Sequence, residues 1–154
     1  MTTLTPPRTT PDASRADEYP APAAAIDVTR QLAWIRPWLR LEGVAVFGAG
    51  LVGFLALGAP SYLFPLLLLA PDLSAVGYLG GPRLGAIVYN LVHDLFTGAA
   101  IGGIGLATGI VPLTAAGAIL VAHSGMDRVA GYGLKLPTSF QDTHLGRIGG
   151  RRAG

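Results

Sequence analysis

Residues 95–126 read LFTGAAIGGIGLATGIVPLTAAGAILVAHSGM, a stretch with no Asp, Glu, Lys or Arg. A second uncharged stretch separates Glu42 from Asp72. Each is longer than the ~20 apolar residues with which a helix crosses a bilayer. A soluble domain built from 154 residues has too little interior to enclose both. These two stretches decide the fold: the chain reads as a helical membrane protein. The composition agrees, since only 13% of the residues are charged, where soluble domains average about 25%.

The quoted stretch divides at Gly109-Ile-Val-Pro112. Helix three is expected from about Arg83 to Thr108, with Pro82 as its first residue, and helix four from Pro112 to about Val129. Upstream, a first span covers about Leu41 to Leu57 and ends before the turn Gly58-Ala59-Pro60. A second starts near Ser61, bends at Pro71 and continues to Gly80-Gly81-Pro82, because a segment ending at Pro71 is too short to cross. The expected class is therefore all-α: a polytopic membrane protein with about four transmembrane helices in a bundle over residues 41–135. Residues 1–25, rich in Thr, Pro and Ala, read as a disordered tail without the apolar core of a signal peptide. Residues 26–40 mix Trp34, Ile35 and Trp38 with Arg30, Arg36 and Arg40 and read as an interfacial segment. Pro37 argues against one straight helix there. Residues 136–154 read as a cytoplasmic tail.

Basic residues flank the first and last spans, while the turns near 58–60 and 109–112 carry no charge. The positive-inside rule then predicts a multi-pass protein of the inner membrane with both termini cytoplasmic. Gly98, Gly102, Gly105 and Gly109 share one face of helix three and offer a close-approach surface for a partner helix, beside the membrane lipids. A net charge of +2 gives no argument for nucleic acid, and the absence of cysteine excludes disulfides and thiolate chemistry.

Ionisable groups within such helices cost roughly 2.5–3.5 kcal/mol each on insertion scales, so each needs a reason. Asp72, Asn90, His93, Asp94, His123 and Asp127 are of this kind, with Asp142 and His144 just beyond. At ~1.5 Å per residue, Asp72 lies ~13 Å before the Gly81 turn and His93 ~17 Å after it. His123 is ~13 Å from Tyr132, where helix four leaves the membrane, and shares a face with Asp127 one turn on. Two readings stay open. One is an interhelical hydrogen-bond cluster that holds the bundle together. The other is a divalent-metal site for zinc, manganese or iron, with Asp72, His93 and His123 as ligands. Proton transfer along the same groups is a third use. No Gly-x-Ser-x-Gly elbow surrounds any serine, and the glycine pairs in helix three follow no strand and so form no phosphate loop.

Several strings carry a resemblance. Arg40-Leu-Glu42-Gly43, Pro71-Asp72-Leu-Ser74, Gly77-Tyr78 with Gly81-Pro82-Arg83, Tyr89-Asn90-Leu-Val-His93, His123-Ser-Gly-Met-Asp127-Arg128, Gly131-Tyr-Gly133-Leu-Lys135 and Asp142-Thr-His144-Leu-Gly146 follow one another in order. Over residues ~40 to 147 the chain resembles a family of small bacterial membrane proteins known only as domain of unknown function 4260. That resemblance brings no activity. It implies a neutral residue where Asp94 stands, so Asp94 is left out of the proposed site. In the order Pro71-Asp72, a histidine on the next helix, His123-x3-Asp127 and Leu134-Lys135-Leu136-Pro137, the chain is also similar to the predicted membrane-bound metal-dependent hydrolases. Their further histidine near the first aspartate and their His-Arg pair are not matched.

The expected function is a membrane protein with a polar site facing the cytoplasm at Asp72, His93, His123 and Asp127. As an enzyme it would carry out metal-assisted hydrolysis of a lipid-soluble or phosphate-bearing substrate. Asp127 would then be the catalytic base or a ligand, and Arg83 or Arg128 the anion clamp, with Asn90, Asp142 and His144 as further polar candidates. The rival is a non-enzymatic accessory subunit, or a small proton-coupled transporter.

Overall fold

The computed structural model describes residues 28–149. The expected disordered tail 1–25, together with Arg151 and Arg152, lies outside the described residues. Within them, the order is α1 (Val28–Ala56), α2 (Leu63–Leu68), a 3₁₀ helix (Ala70–Gly80), α3 (Pro82–His93), α4 (Leu95–Thr108), α5 (Val111–Ala130) and a hairpin of β1 (Asp142–Thr143) with β2 (Gly146–Arg147).

The axis of the fold is α5, with α1 along one side and α4 along the other. Small residues set both contacts. A Cβ on Gly50 would fall 2.5 Å from the Ala122 nitrogen, so α1 meets α5 backbone to backbone. A Cβ on Gly117 would collide with the backbone of Gly102, which brings α4 and α5 equally close. The expected glycine face is therefore covered from within the chain. Gly98 lies against Leu120 and Val121, Gly102 against Gly117 and Gly105 against Thr114. Gly109 instead ends α4 in the left-handed conformation, at φ 71°. Below this contact Phe54, Phe64, Leu68, Ile119 and Ala122 form a buried cluster, with the Phe64 ring edge-on to Phe54 at 5.6 Å.

Three expected elements take a different form. Interfacial segment and first span are one continuous helix, α1, running through Pro37. Ala33 and Pro37 are both exposed, so the carbonyl that proline leaves unpaired turns away from the core. Helix three is broken at Asp94, and its halves meet at 48°. Asp94 has extended backbone there and caps α4: its carboxylate accepts from the Thr97 amide and hydroxyl, each at 2.8 Å. The His93 carbonyl at the break accepts from the Ser124 hydroxyl at 2.8 Å. Finally, the segment expected as a tail folds back in its described part. The hairpin bridges to Lys135 through Thr143, and Arg36 donates to the Leu145 carbonyl at 2.7 Å. The architecture is mostly helical with this small antiparallel addition.

Two helices are long and apolar enough to cross a membrane, Ala33–Ala56 and the continuous Leu63–Gly80 stretch; the bent α3–α4 pair makes a third when taken as one span. The expected fourth, α5, is not among them. It is long enough, but His123, Asp127 and Arg128 lower its hydropathy. Large apolar side chains face outward, Leu79 at 89% and Phe96 at 81% exposure. Exposed apolar surface of this extent marks contact with a membrane or with other protein, and the apolar helices suggest the former.

Candidate functional site

Pro71 positions the first half of the site. A 3₁₀ turn would pair the Leu68 carbonyl with the amide of residue 71, and proline has none. The Asp72 amide goes to Leu69 instead. The orphaned Leu68 carbonyl is met from α5 by His123 Nδ1 at 2.6 Å. The 3₁₀ helix also corrects the depth of Asp72. Rising ~2.0 Å per residue, the segment from Asp72 to Gly81 spans ~18 Å, matching the ~18 Å from Gly81 to His93 along α3. The two side chains therefore meet: His93 Nε2 is 3.4 Å from Asp72 Oδ1. His123 Nε2 lies 3.6 Å from the same oxygen and 3.9 Å from Asp127 Oδ1. The four residues singled out by depth thus form one cluster, drawn from the 3₁₀ helix, α3 and α5.

The protonation of each Nδ1 follows from its partner. His93 Nδ1 lies 2.8 Å from the Tyr89 carbonyl, as His123 Nδ1 does from Leu68. A carbonyl only accepts, so each Nδ1 donates, and each Nε2 is left facing the Asp72 carboxylate, as a donor in an imidazolium or as a lone pair in the neutral ring. Two imidazole nitrogens and a carboxylate thus converge on one point. His93 and His123 are 5% and 0% exposed, and His123 Nε2 is buried without a hydrogen-bond partner. The rings stand nearly perpendicular, 4.7 Å between centroids. Asp72 is half-exposed, which leaves one side of the cluster open. Tyr89 stacks on His93 at 3.5 Å and fixes its plane.

A cavity of about 180 Å³ adjoins the cluster, bounded by His93, Asp127, Ser124, Arg128, Glu42 and His144. Arg128 contacts Glu42 through one guanidinium nitrogen at 3.4 Å. His144 Nδ1 accepts from the Leu134 amide at 2.9 Å, so its Nε2 bears the proton and can donate.

The remaining sequence candidates lie elsewhere. Arg83 is exposed at the far end of α3 and does not reach the cluster. Asp142 is held within the hairpin by Arg147 at 2.9 Å and Thr138 at 2.8 Å; the Thr138 and Ser139 hydroxyls, then Arg147, keep its carboxyl below the usual range. Asn90 serves as a clamp. Its amide donates to the Lys135 carbonyl at 2.9 Å and its oxygen accepts from the Lys135 amide at 2.7 Å. That clamp presents a residue the sequence reading passed over as part of the basic rim. Lys135 is 5% exposed, with its ammonium over the rings of Phe140 at 3.9 Å and Tyr89 at 4.9 Å. Burial lowers its pKa, while Asp127 and Asp72 act in the opposite direction. The available signal was that Lys135 is the only lysine among ten arginines.

A family model described as a domain of unknown function (DUF4260) matches residues 36–148, a range that contains the whole cluster, the cavity and the hairpin. No curated protein and no solved structure matches the chain. The chain belongs to the DUF4260 family.

Proposed function

We propose that the chain is a multi-pass inner-membrane protein, both termini cytoplasmic, that holds a divalent metal at Asp72, His93 and His123 and uses it for hydrolysis. Asp127 serves as fourth ligand or as base. The observation that carries this reading is the convergence of two Nε2 atoms and a carboxylate, with His123 Nε2 buried and without a hydrogen-bond partner. With the rings neutral, both Nε2 lone pairs and the carboxylate are offered to a cation at that point. Two of the three spacings match: ligand atoms ~2.1 Å from a tetrahedral ion stand about 3.4 Å apart, and Asp72 Oδ1 lies 3.4 and 3.6 Å from the two nitrogens. All three ligand atoms fall within 4.8 Å of one another.

The support behind the ligands is also of the metal-site kind. Both imidazoles donate their other N–H to a backbone carbonyl, which fixes ring orientation and raises basicity. Imidazole with carboxylate suits zinc, manganese or iron. A divalent ion held there would supply a Lewis acid and, through coordinated water, a nucleophile near neutral pH. The chain's own groups do the rest. Asp127, one helical turn from His123, is placed to take a proton, and the adjoining cavity admits water and a small polar group.

Metal analysis of protein purified in detergent without chelators tests the reading. About one equivalent per chain is expected, lost in His93→Ala and in His123→Ala and kept in Arg83→Ala. Hydrolysis of an ester or phosphoester should disappear with a chelator and return with zinc or manganese. Wild-type protein devoid of metal, and unable to take it up, overturns the proposal.

A further inference from the structure

The cavity beside the cluster carries its own pair of donors, neither engaged by the metal site. Arg128 spends one contact on Glu42, a long one between partly exposed groups, and keeps the other guanidinium donors of its fork. His144 is set the opposite way to His93 and His123. Its Nδ1 is the acceptor, so the Nε2–H is free to donate. The ring has a prepared seat, since a Cβ on Gly133 would lie 2.7 Å from His144 Nδ1 and 2.8 Å from Cε1. Gly133 does not have the positive φ that demands glycine, so the space, not the backbone, accounts for that residue. His93 and Asp127 also line the cavity.

We propose that this cavity binds the phosphate group of the substrate, with Arg128 and His144 holding its oxygens against the metal side of the wall. The inference rests on the metal reading above, because without a divalent ion the carboxylates of Glu42, Asp94 and Asp127 that line the cavity, with Asp72 in the adjoining cluster, make the region unfavourable for an anion. A guanidinium fork matches phosphate oxygens, and a neutral imidazole N–H adds a donor without further charge. The volume is far below the ~300–1,000 Å³ that encloses a drug-sized molecule. Only a headgroup-sized part of a substrate enters, and the rest stays outside. Arg128 and His144 take over the anion-binding role for which Arg83 is too distant.

Isothermal titration of inorganic phosphate into zinc-loaded protein is the test, with metal content measured on the same samples. Wild-type protein should bind phosphate only when loaded. Arg128→Ala and His144→Ala should each weaken binding at least tenfold at unchanged metal stoichiometry. Gly133→Ala, which unseats the ring without deleting it, should weaken it several-fold. Competition identifies the source: displacement by phosphatidic acid in nanodiscs, with phosphatidylcholine inert, marks a lipid headgroup, and displacement by glycerol phosphate alone marks a soluble ester. Loaded wild-type protein that ignores phosphate, or variants that bind it as wild type does, overturns this proposal and leaves the metal site standing. Absent metal in the same samples is the separate failure of the underlying reading.

Discussion

His123 Nδ1 donates to the Leu68 carbonyl across fifty-five residues of sequence, at 2.6 Å, and it does so because Pro71 cannot. A residue read from sequence as a kink thus sets the tautomer of a buried histidine. Pro71→Ala should restore an amide that competes for that carbonyl. Zinc affinity is expected to fall about 10–100-fold, the usual cost of losing support behind a ligand, with helix content unchanged. Competition titration against a zinc chelator, alongside circular dichroism, decides it; an unaltered affinity refutes the assignment.

Acid should act on the hairpin through Asp142. Its folded pKa is lowered, first by the Thr138 hydroxyl and then by Ser139 and Arg147. A lowered carboxyl stabilises the fold fully above its unfolded value of about 3.9 and loses that contribution as pH falls through the folded value. Amide exchange at Thr143 should therefore be the same at pH 7 and pH 5 after correction for intrinsic rates, and should accelerate only below about pH 4. Asp142→Asn should abolish that acid-dependent step, and persistence of the step in the variant would assign it to another group.

Two neighbouring glycine faces should respond with opposite signs. Gly117→Val drives a side chain into the Gly102 backbone and is expected to cost about 1–3 kcal/mol or more. Gly103 has nothing within 4 Å of an added Cβ, so Gly103→Ala should be neutral or stabilise by up to about 1 kcal/mol through helix propensity. Equilibrium unfolding in mixed detergent micelles reads both. Equal effects would mean that α4 does not meet α5 as described.

The helical character was legible because charge-free runs of that length have few other uses, and the cluster was legible because buried His and Asp are costly enough to stand out. Depth alone brought Asp72, His93, His123 and Asp127 together, even though the ~13 Å assigned to Asp72 assumed α-helical rise where the chain is 3₁₀. The break at Asp94 is not expected from the uncharged run that follows it, although Thr97 three residues on is the partner a capping aspartate needs. The glycine face reads as a close-approach surface for a partner helix, and Gly98, Gly102 and Gly105 lie against α5 of the same chain; nothing in a periodicity says which helix fills it. Lys135 was the hardest to read. Its place depends on Asn90, forty-five residues away, pairing with its backbone, and no local pattern encodes that.

The four groups of the cluster are divided unevenly over the fold. His123 and Asp127 belong to α5, which is wedged against α1 and α4 at backbone distance. Asp72 and His93 belong to the 3₁₀–α3 arm, which packs chiefly on itself and touches α5 only lightly. The cluster is therefore a rivet through the joint between a rigid slab and a looser arm. An ion held there would tie the arm, from the Gly81 turn to His93, to the slab behind it.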